Sequence, residues 1–579
     1  MANGCNQNPI GACSEAEGIN TTANGTASHA EGMNTISNGN ASHAEGSTTI
    51  AGGNAAHTEG YDTETTADTA HAEGSTTTAS GIASHAEGYL TTASANTSHA
   101  EGSETIAMGN SSHAEGFLTA ATADTAHAEG YSTTASGFNS HAEGFNTTAS
   151  ASHAHAEGNK TTAAGENSHT EGLNTQTTIS GVNAHAEGEG NIASGRASHA
   201  EGGGVDPLGN PAPTLASGDG AHSEGVGTTA SGPAAHAEGF ETSAGGPVAH
   251  AEGVSTISNG IGSHAEGVDT TASGFAAHSE GLSTMASGNA SHAEGEGSVA
   301  SGNRSHAEGH STTASGEASH AEGNATIASG DVSHAEGNST TTNGFEGAHI
   351  MGLNGAVNNV DGDPTYSWNV AFGAVPYDNT GLVGKLLNNG NMFIDGAYGT
   401  PAGDYAEMFE TADGNPIDVG YFVAASNEDK IQKATSTDLF ILGITSATPG
   451  VLGKSGGLRW QGKYQTDEWG RRMYHEVTIP ASIDREGNII TPERKIMHPI
   501  LNPDWNPNQV YVSRINRQEW VAVGLIGQIR VRDDGTCETH GYCWPNDDGV
   551  ATKAEKGYYV LKRTGPNQVL VLVTPLQKN

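Results

Sequence analysis

The sequence predicts an all-β chain, a parallel β-roll solenoid of fourteen-residue coils followed by a mostly β globular domain. Three observations lead there. The word H-(A/T/S)-E-G recurs in twenty-two copies, with histidines from His29 to His334 and a spacing of fourteen broken only twice. Each fourteen divides into two similar sevens, S-H-A-E-G-x-x and T-T-A-S-G-x-x, each with its own glycine. After Gly352 the period disappears, and aromatic, apolar and basic residues return.

Composition divides the chain in the same place. Of the 23 Lys and Arg, only Lys160, Arg196, Arg304 and Lys385 lie in the first 403 residues, against 43 acids, so the repeats carry about -39 of the net -42. So acidic a body is repelled by nucleic acid and by anionic membranes, which excludes nucleic-acid partners. No apolar run reaches the length of a membrane-spanning helix, so no membrane insertion is expected. The opening "MANGCNQNPIGACSEAEG" has neither the charged nor the apolar region of a secretory signal, and synthesis in a host cytoplasm is the expectation. Four cysteines are too few for a disulfide scaffold and are expected as free thiols. No cofactor is expected.

Taken in order, residues 1–14 precede the first, degenerate copy at Glu15 and are expected to serve as a short attachment segment. Residues 15–352 are the repeat. A coiled coil of paired heptads is excluded, because a glycine in every seven costs a helix about 1 kcal/mol per site and Leu or Ile is missing from the a and d positions. Two short strands per fourteen give one solenoid coil, and about 24 coils at strand spacing make a rod of roughly 115 Å. Strand alternation then places Ser28 and Ala30 inside with Thr21 and Ala23, where only small side chains fit, and His29 and Glu31 outside. The residues after each glycine (Met33-Asn34, Tyr61-Asp62, Phe117-Leu118) vary, as solvent positions do. The His/Glu face hardly varies.

That constancy is read as burial against partner chains. Three rolls around one axis would stack imidazoles and carboxylates in a ladder: His29, Glu31, His43, Glu45, His85, Glu87, His141, Glu143, His264, Glu266, His320 and Glu322 are representative rungs. Buried charges need partners, and carboxylates beside the imidazoles are expected to hold them protonated. A metal on the axis and a solvent-exposed face are the alternatives; no metal is assigned. Two extra residues between His169 and His185, and nine between His199 and His222, are expected to bulge outward. The motif "ASGxxSHAEGxxTTASGxxSHAEG" resembles the fourteen-residue repeats of trimeric autotransporter adhesin heads, which implies left-handed parallel β-rolls that trimerise. This chain differs in carrying His and Glu where those heads are apolar.

Residues 353–403 alternate apolar residues around a turn signal, Asn388-Asn389-Gly390, and are expected to form a β connector or tip. Residues 404–579 carry strand-like runs, "VGYFVAA", "LFILGITS" and "WVAVGLIGQIRVR" among them, with the aromatic content of a conventional core. The motifs "PAGDYAEMFE", "RWQGKYQTDEWGR" and "VGLIGQIRVRDDGTC…YCWPNDDGVATK" resemble the autoproteolytic intramolecular-chaperone domain at the C-terminus of phage tail spikes and neck appendages, a glutamic-peptidase-like family. The resemblance implies a domain that aligns three chains and then cuts itself off before the Asp of D-Y-A-E. Carried over, the scissile bond is Gly403–Asp404 and the catalytic residues are Asp404 and Glu407. Two carboxyls three apart can supply an acid and a base. Gly403 offers no hydroxyl at the cut.

The expected function is a homotrimeric phage tail fibre or appendage, located in the virion, that contacts a host cell-surface receptor or glycan and whose only enzymatic act is on itself. The alternative is a bacterial surface or spore filament of prophage origin. An enzyme on external glycans lacks a varied carboxylate groove. The two halves complement each other, since identical coils carry no register information and a terminal clamp supplies it.

Overall fold

The computed structural model describes residues 5–358, 366–457, 462–483, 489–491 and 493–574. Residues 359–365 of the expected connector and Arg459, Trp460 and Gln461 of the R-W-Q-G motif lie outside them. Among the described residues there is no α-helix, only three single-turn 3₁₀ segments. The chain forms two compact units, residues 1–396 and 397–579.

In the first unit most coils contribute a strand on H-x-E-G-x, as in His85–Tyr89, shortened to two residues in some, as in His155–Ala156, and a two-residue strand on the second seven, as in Thr92–Ala93. Repeat strands pair in parallel with their counterparts in the next coil, fourteen residues on except at the two insertions: His71 lies beside His85, Glu73 beside Glu87, Thr78 beside Thr92. The solenoid is thus one continuous ladder of hydrogen bonds along the rod, with the period of the sequence as its register.

The interior is as thin as the sequence demands. Ala86, Ala93, Ala100 and Ala107 are fully buried, with Thr91 and Thr105 beside them and Ser84 almost so. Where a serine precedes the histidine it closes the turn before it, Ser84 Oγ donating to the Gly81 carbonyl at 2.7 Å.

The glycine of H-A-E-G has a different role from the one expected of a turn residue. It lies within a strand at strongly positive φ, +114° at Gly88, and a Cβ there would meet the Gly102 carbonyl oxygen at 2.0 Å. Close stacking of successive coils requires it, in every copy.

Both insertions leave the rod and return in register. Ile179 and Leu208, at their tips, are 84% and 87% exposed, while His169 pairs with His185 and His199 with His222 as if nothing intervened. Beyond the repeats, Ala348–Ala356 continues the parallel ladder to Ser367–Phe372, and the chain then reverses into antiparallel strands Leu382–Leu387 and Met392–Ile394 around the Asn389-Gly390 turn.

The second unit is built on a ten-stranded sheet. Its centre is the long strand Trp520–Arg532, flanked by Asp404–Glu410 and Gln568–Val573. Phe422, Ile444, Val531, Val560, Val569 and Val571 fill its core, the branched and aromatic packing that the repeats lack.

Candidate functional site

Two places concentrate chemistry: the His/Glu face of the solenoid and the D-Y-A-E strand of the second unit.

On the solenoid, the predicted rungs share one outward face. The imidazoles stack almost parallel from His29 onward, with ring centroids 4.7 Å apart at His85–His99 and 4.8 Å at His306–His320, and the column ends at His349, under Trp368. Each carboxylate lies between the imidazole of its own coil and that of the next. His29 Nε2 is 3.9 Å from Glu31 and His43 Nε2 is 3.8 Å from the same residue; Glu45 is 3.9 Å from His43. The distances are 3.6 Å at His85–Glu87, 3.8 Å at His141–Glu143 and 4.0 Å at His264–Glu266. Toward the C-terminal end the bond crosses coils, His320 to Glu308 and His334 to Glu322, both at 3.1 Å. A ladder imidazole is about one-third exposed (34% at His85), yet its Nε2 is covered.

The expectation of protonated imidazoles is corrected here. Burial first, and then the neighbouring histidines, hold His43, His71, His113, His185, His250 and His334 below the ordinary histidine value; at His99 and His236 the same two causes act. Like charges stacked at 4.8 Å repel, and the adjacent carboxylates do not offset this together with desolvation. Neighbouring carboxylates divide instead: Glu45, against Glu59 and Glu31, and Glu238, against Glu224, are pushed up to about 7, while Glu59 and Glu224 are held below the ordinary carboxylate value by the same contacts.

The position after each glycine was read as solvent, and its first residue is indeed exposed: Met33, Tyr61 and Phe117 all reach solvent. His29 and Glu31 alternate with buried Ala30 and face outward, and Met33 follows at the end of the same strand, beyond Gly32 at φ +110°. The same column carries Tyr61, Tyr89, Phe117, Tyr131 and Phe145, exposed large side chains, the last three stacked at 5.1 and 4.9 Å. The polar ladder therefore has an apolar margin, legible in the sequence as apolar recurrence at that one position.

In the second unit, Asp404–Glu410 is inserted between Val451–Gly453, parallel, and Trp520–Arg532, antiparallel with an irregularity at Tyr405/Ala406. Four glycines wall this strand. A Cβ on Gly450 would meet the Ala402 carbonyl at 2.8 Å, and one on Gly453 the Tyr405 hydroxyl at 2.9 Å. Gly524 faces the Asp404 carboxylate, and Gly527, at φ +114°, lies so near the Gly403–Asp404 peptide that a Cβ would reach its carbonyl oxygen at 2.1 Å. The Gly403 carbonyl accepts from the Gln528 backbone N–H at 3.0 Å, and the Asp404 carbonyl from Gly450 N–H at 2.9 Å.

The two predicted carboxyls have separate surroundings. Asp404 Oδ2 is buried beside Gly524 without a hydrogen-bond partner. Glu407 accepts from the Tyr405 hydroxyl at 2.7 Å and pairs with Lys454 at 2.9 Å. The Lys454 ammonium and the Tyr405 hydroxyl hold Glu407 below the usual carboxylate range. Sequence reasoning missed Tyr405, Lys454 and the glycine walls; their signal is the twice-repeated G-x-x-G of "PGVLGK" and "VGLIGQ".

Comparison with a family model matches a stretch that begins in the first unit and covers most of the second. Residues 353–568 match the family model Peptidase_G2, IMC autoproteolytic cleavage domain. The chain is 41% identical over 134 residues to the preneck appendage protein of Bacillus phage PZA, covering 23% of this chain and 14% of that one. It is 35% identical over 178 residues to the putative phage-related protein YobO of Bacillus subtilis strain 168, covering 30% and 20%. The chain thus spans a fifth or less of the length of these relatives. The crystal structure of the bacteriophage phi29 gene product 12 C-terminal fragment aligns at 34% identity over 30% of this chain and 100% of that one, with a TM-score of 0.25. Residues 353–568 are similar to the Peptidase_G2, IMC autoproteolytic cleavage domain family, and part of the chain is similar to the preneck appendage protein of a Bacillus phage.

Proposed function

We propose that the chain is a homotrimeric phage appendage whose C-terminal domain aligns three copies and then cuts itself at Gly403–Asp404. The observation that carries this reading is the peptide itself: an extended strand in a glycine-walled slot, its carbonyl on the Gln528 N–H, with the buried Asp404 carboxyl beside Gly524 and Glu407, anchored by Tyr405 and Lys454, further along the same strand. Water adds to the Gly403 carbonyl carbon and the C–N bond breaks, leaving a Gly403 carboxylate and an Asp404 α-amine. The Gln528 N–H polarises the carbonyl. Glu407, ionised, takes the proton of the attacking water, and the Asp404 carboxyl protonates its own departing amine. With no hydroxyl on Gly403, water is the nucleophile.

Trimerisation rests on the solenoid face, a ladder of half-covered imidazoles and carboxylates with an apolar margin that three copies would enclose. Residues 353–403 then form the tip that meets a host receptor or glycan, and the assembled protein resides in the virion. The similarity to a protein encoded by Bacillus subtilis supports the second reading, a bacterial surface filament of prophage origin with the same assembly device.

The test is expression of the full chain, light scattering for mass, and mass spectrometry beside Glu407→Ala. A trimer and fragments of 403 and 176 residues are expected, with the uncut chain persisting in Glu407→Ala. A monomer, or the same fragments in both proteins, overturns the corresponding half of the reading.

A further inference from the structure

The ladder holds donors in an arrangement that a trimer seam alone does not require. A ring nitrogen of His71, a Glu73 carboxylate oxygen and a ring nitrogen of His85 lie within 4.8 Å of one another, and the same grouping recurs at His99/Glu101/His113, His127/Glu129/His141, His155/Glu157/His169 and His199/Glu201/His222. In the first three groups the carboxylate is 3.4–3.5 Å from the imidazole of its own coil, beyond a good hydrogen bond. The Nε2 atoms of His71, His85, His99, His113, His127 and His141 are covered by protein and have no hydrogen-bond partner. Each is a lone pair or an N–H excluded from water without compensation.

We infer that the solenoid binds first-row divalent metal ions, one to every second coil, through two histidines of successive coils and the glutamate between them. Two imidazoles and a carboxylate are a donor set for Zn²⁺, Co²⁺, Ni²⁺ or Cu²⁺ rather than for Ca²⁺ or Mg²⁺. In a tetrahedral site at about 2.1 Å from the metal, donors stand roughly 3.4 Å apart. The imidazole pair must therefore close from its present stacked spacing, which a tilt of the two rings about their side-chain torsions supplies. The backbone fixes the rest, since parallel pairing holds His71 directly beside His85. Because neighbouring sites share a histidine, an ion at one step excludes one at the next. Twenty-two ladder histidines, two to an ion, give a ceiling of eleven ions per chain. The acidic body adds long-range attraction for cations.

The inference concerns one chain and does not depend on trimerisation or cleavage. The test uses the full-length chain stripped with chelator, titrated with Co²⁺ as the spectroscopic probe and with Zn²⁺ for stoichiometry by calorimetry, with mass followed by light scattering in the same samples. Several ions per chain, up to eleven, are expected, with the intense visible bands of low-coordinate Co²⁺, displaced by Zn²⁺. Replacing His71, His85, His99, His113, His127 and His141 by Asn lowers that ceiling from eleven to seven, because the remaining histidines form one run of three and one of thirteen. Glu73→Gln, Glu101→Gln and Glu129→Gln together keep every imidazole and guard against misfolding; they weaken those three steps by about tenfold or more, as loss of even a supporting group does at metal sites. Binding unchanged in both variants, or only pale octahedral Co²⁺, overturns the inference. A trimer that forms without taking up metal overturns it while sparing the assembly reading.

Discussion

Replacement of Gly527 by alanine tests whether the geometry around the Gly403–Asp404 peptide matters. A Cβ on Gly527 would lie 2.1 Å from the Gly403 oxygen and 2.8 Å from Asp404 Cα. To restore ordinary contact, the peptide must retreat by about 1 Å. An L side chain at φ +114° adds strain of about 1–2 kcal/mol. Loss of the Gln528 N–H to Gly403 carbonyl bond adds about 1 kcal/mol, and the total is about 3 kcal/mol. In a unit of 183 residues, 397–579, that lowers the melting temperature by roughly 6–12 °C. Displacing a reacting carbonyl by about 1 Å slows its chemistry by about a hundredfold. The assay is a time course of the 176-residue fragment by mass spectrometry, paired with a thermal melt. Gly535→Ala is the control, because its φ is also positive, +94°, but nothing lies within 4 Å of the added Cβ. Cleavage at the wild-type rate in a folded Gly527→Ala protein would refute the assignment of the slot as the cutting site, and equal melting temperatures for the two variants would refute the packing argument.

Further expectations follow from the same structure. Lys454→Met removes the main cause of the lowered Glu407 pKa, so the Glu407 midpoint, read by carboxyl NMR, rises. Since the folded value is depressed, this pair contributes stability above the ordinary carboxylate value near 4.5 that is lost as pH falls through the folded midpoint, and the variant loses that dependence. Gly102→Ala forces a Cβ to within 2.1 Å of the Gly116 oxygen and should open the adjacent coils by about 2–4 kcal/mol in hydrogen exchange, leaving distant coils untouched because each coil touches only its neighbours. Gly220→Ala, with open space around it, should show no such local opening. Thr105→Val deletes a buried hydroxyl that has no partner and should be neutral or stabilising by up to about 1 kcal/mol in a denaturant titration; marked destabilisation would mean that the hydroxyl is bonded after all.

The amino-acid sequence alone determined the solenoid. A period of fourteen with a glycine in each half and small residues at alternate positions admits one register, and that register fixed which side of the strand carries His29 and Glu31 and which carries Ser28 and Ala30. It also marked Asp404 and Glu407 through the D-Y-A-E motif. What it left open depends on distance. Whether an imidazole is charged depends on burial and on the like ring 4.8 Å away, so carboxylate proximity along the chain gave the wrong sign. Lys454, Gly524 and Gly527 reach the D-Y-A-E strand from segments tens of residues away, brought there by sheet pairing. Local period is written in the chain, whereas electrostatics and close packing arise between residues that only the folded sheet makes neighbours.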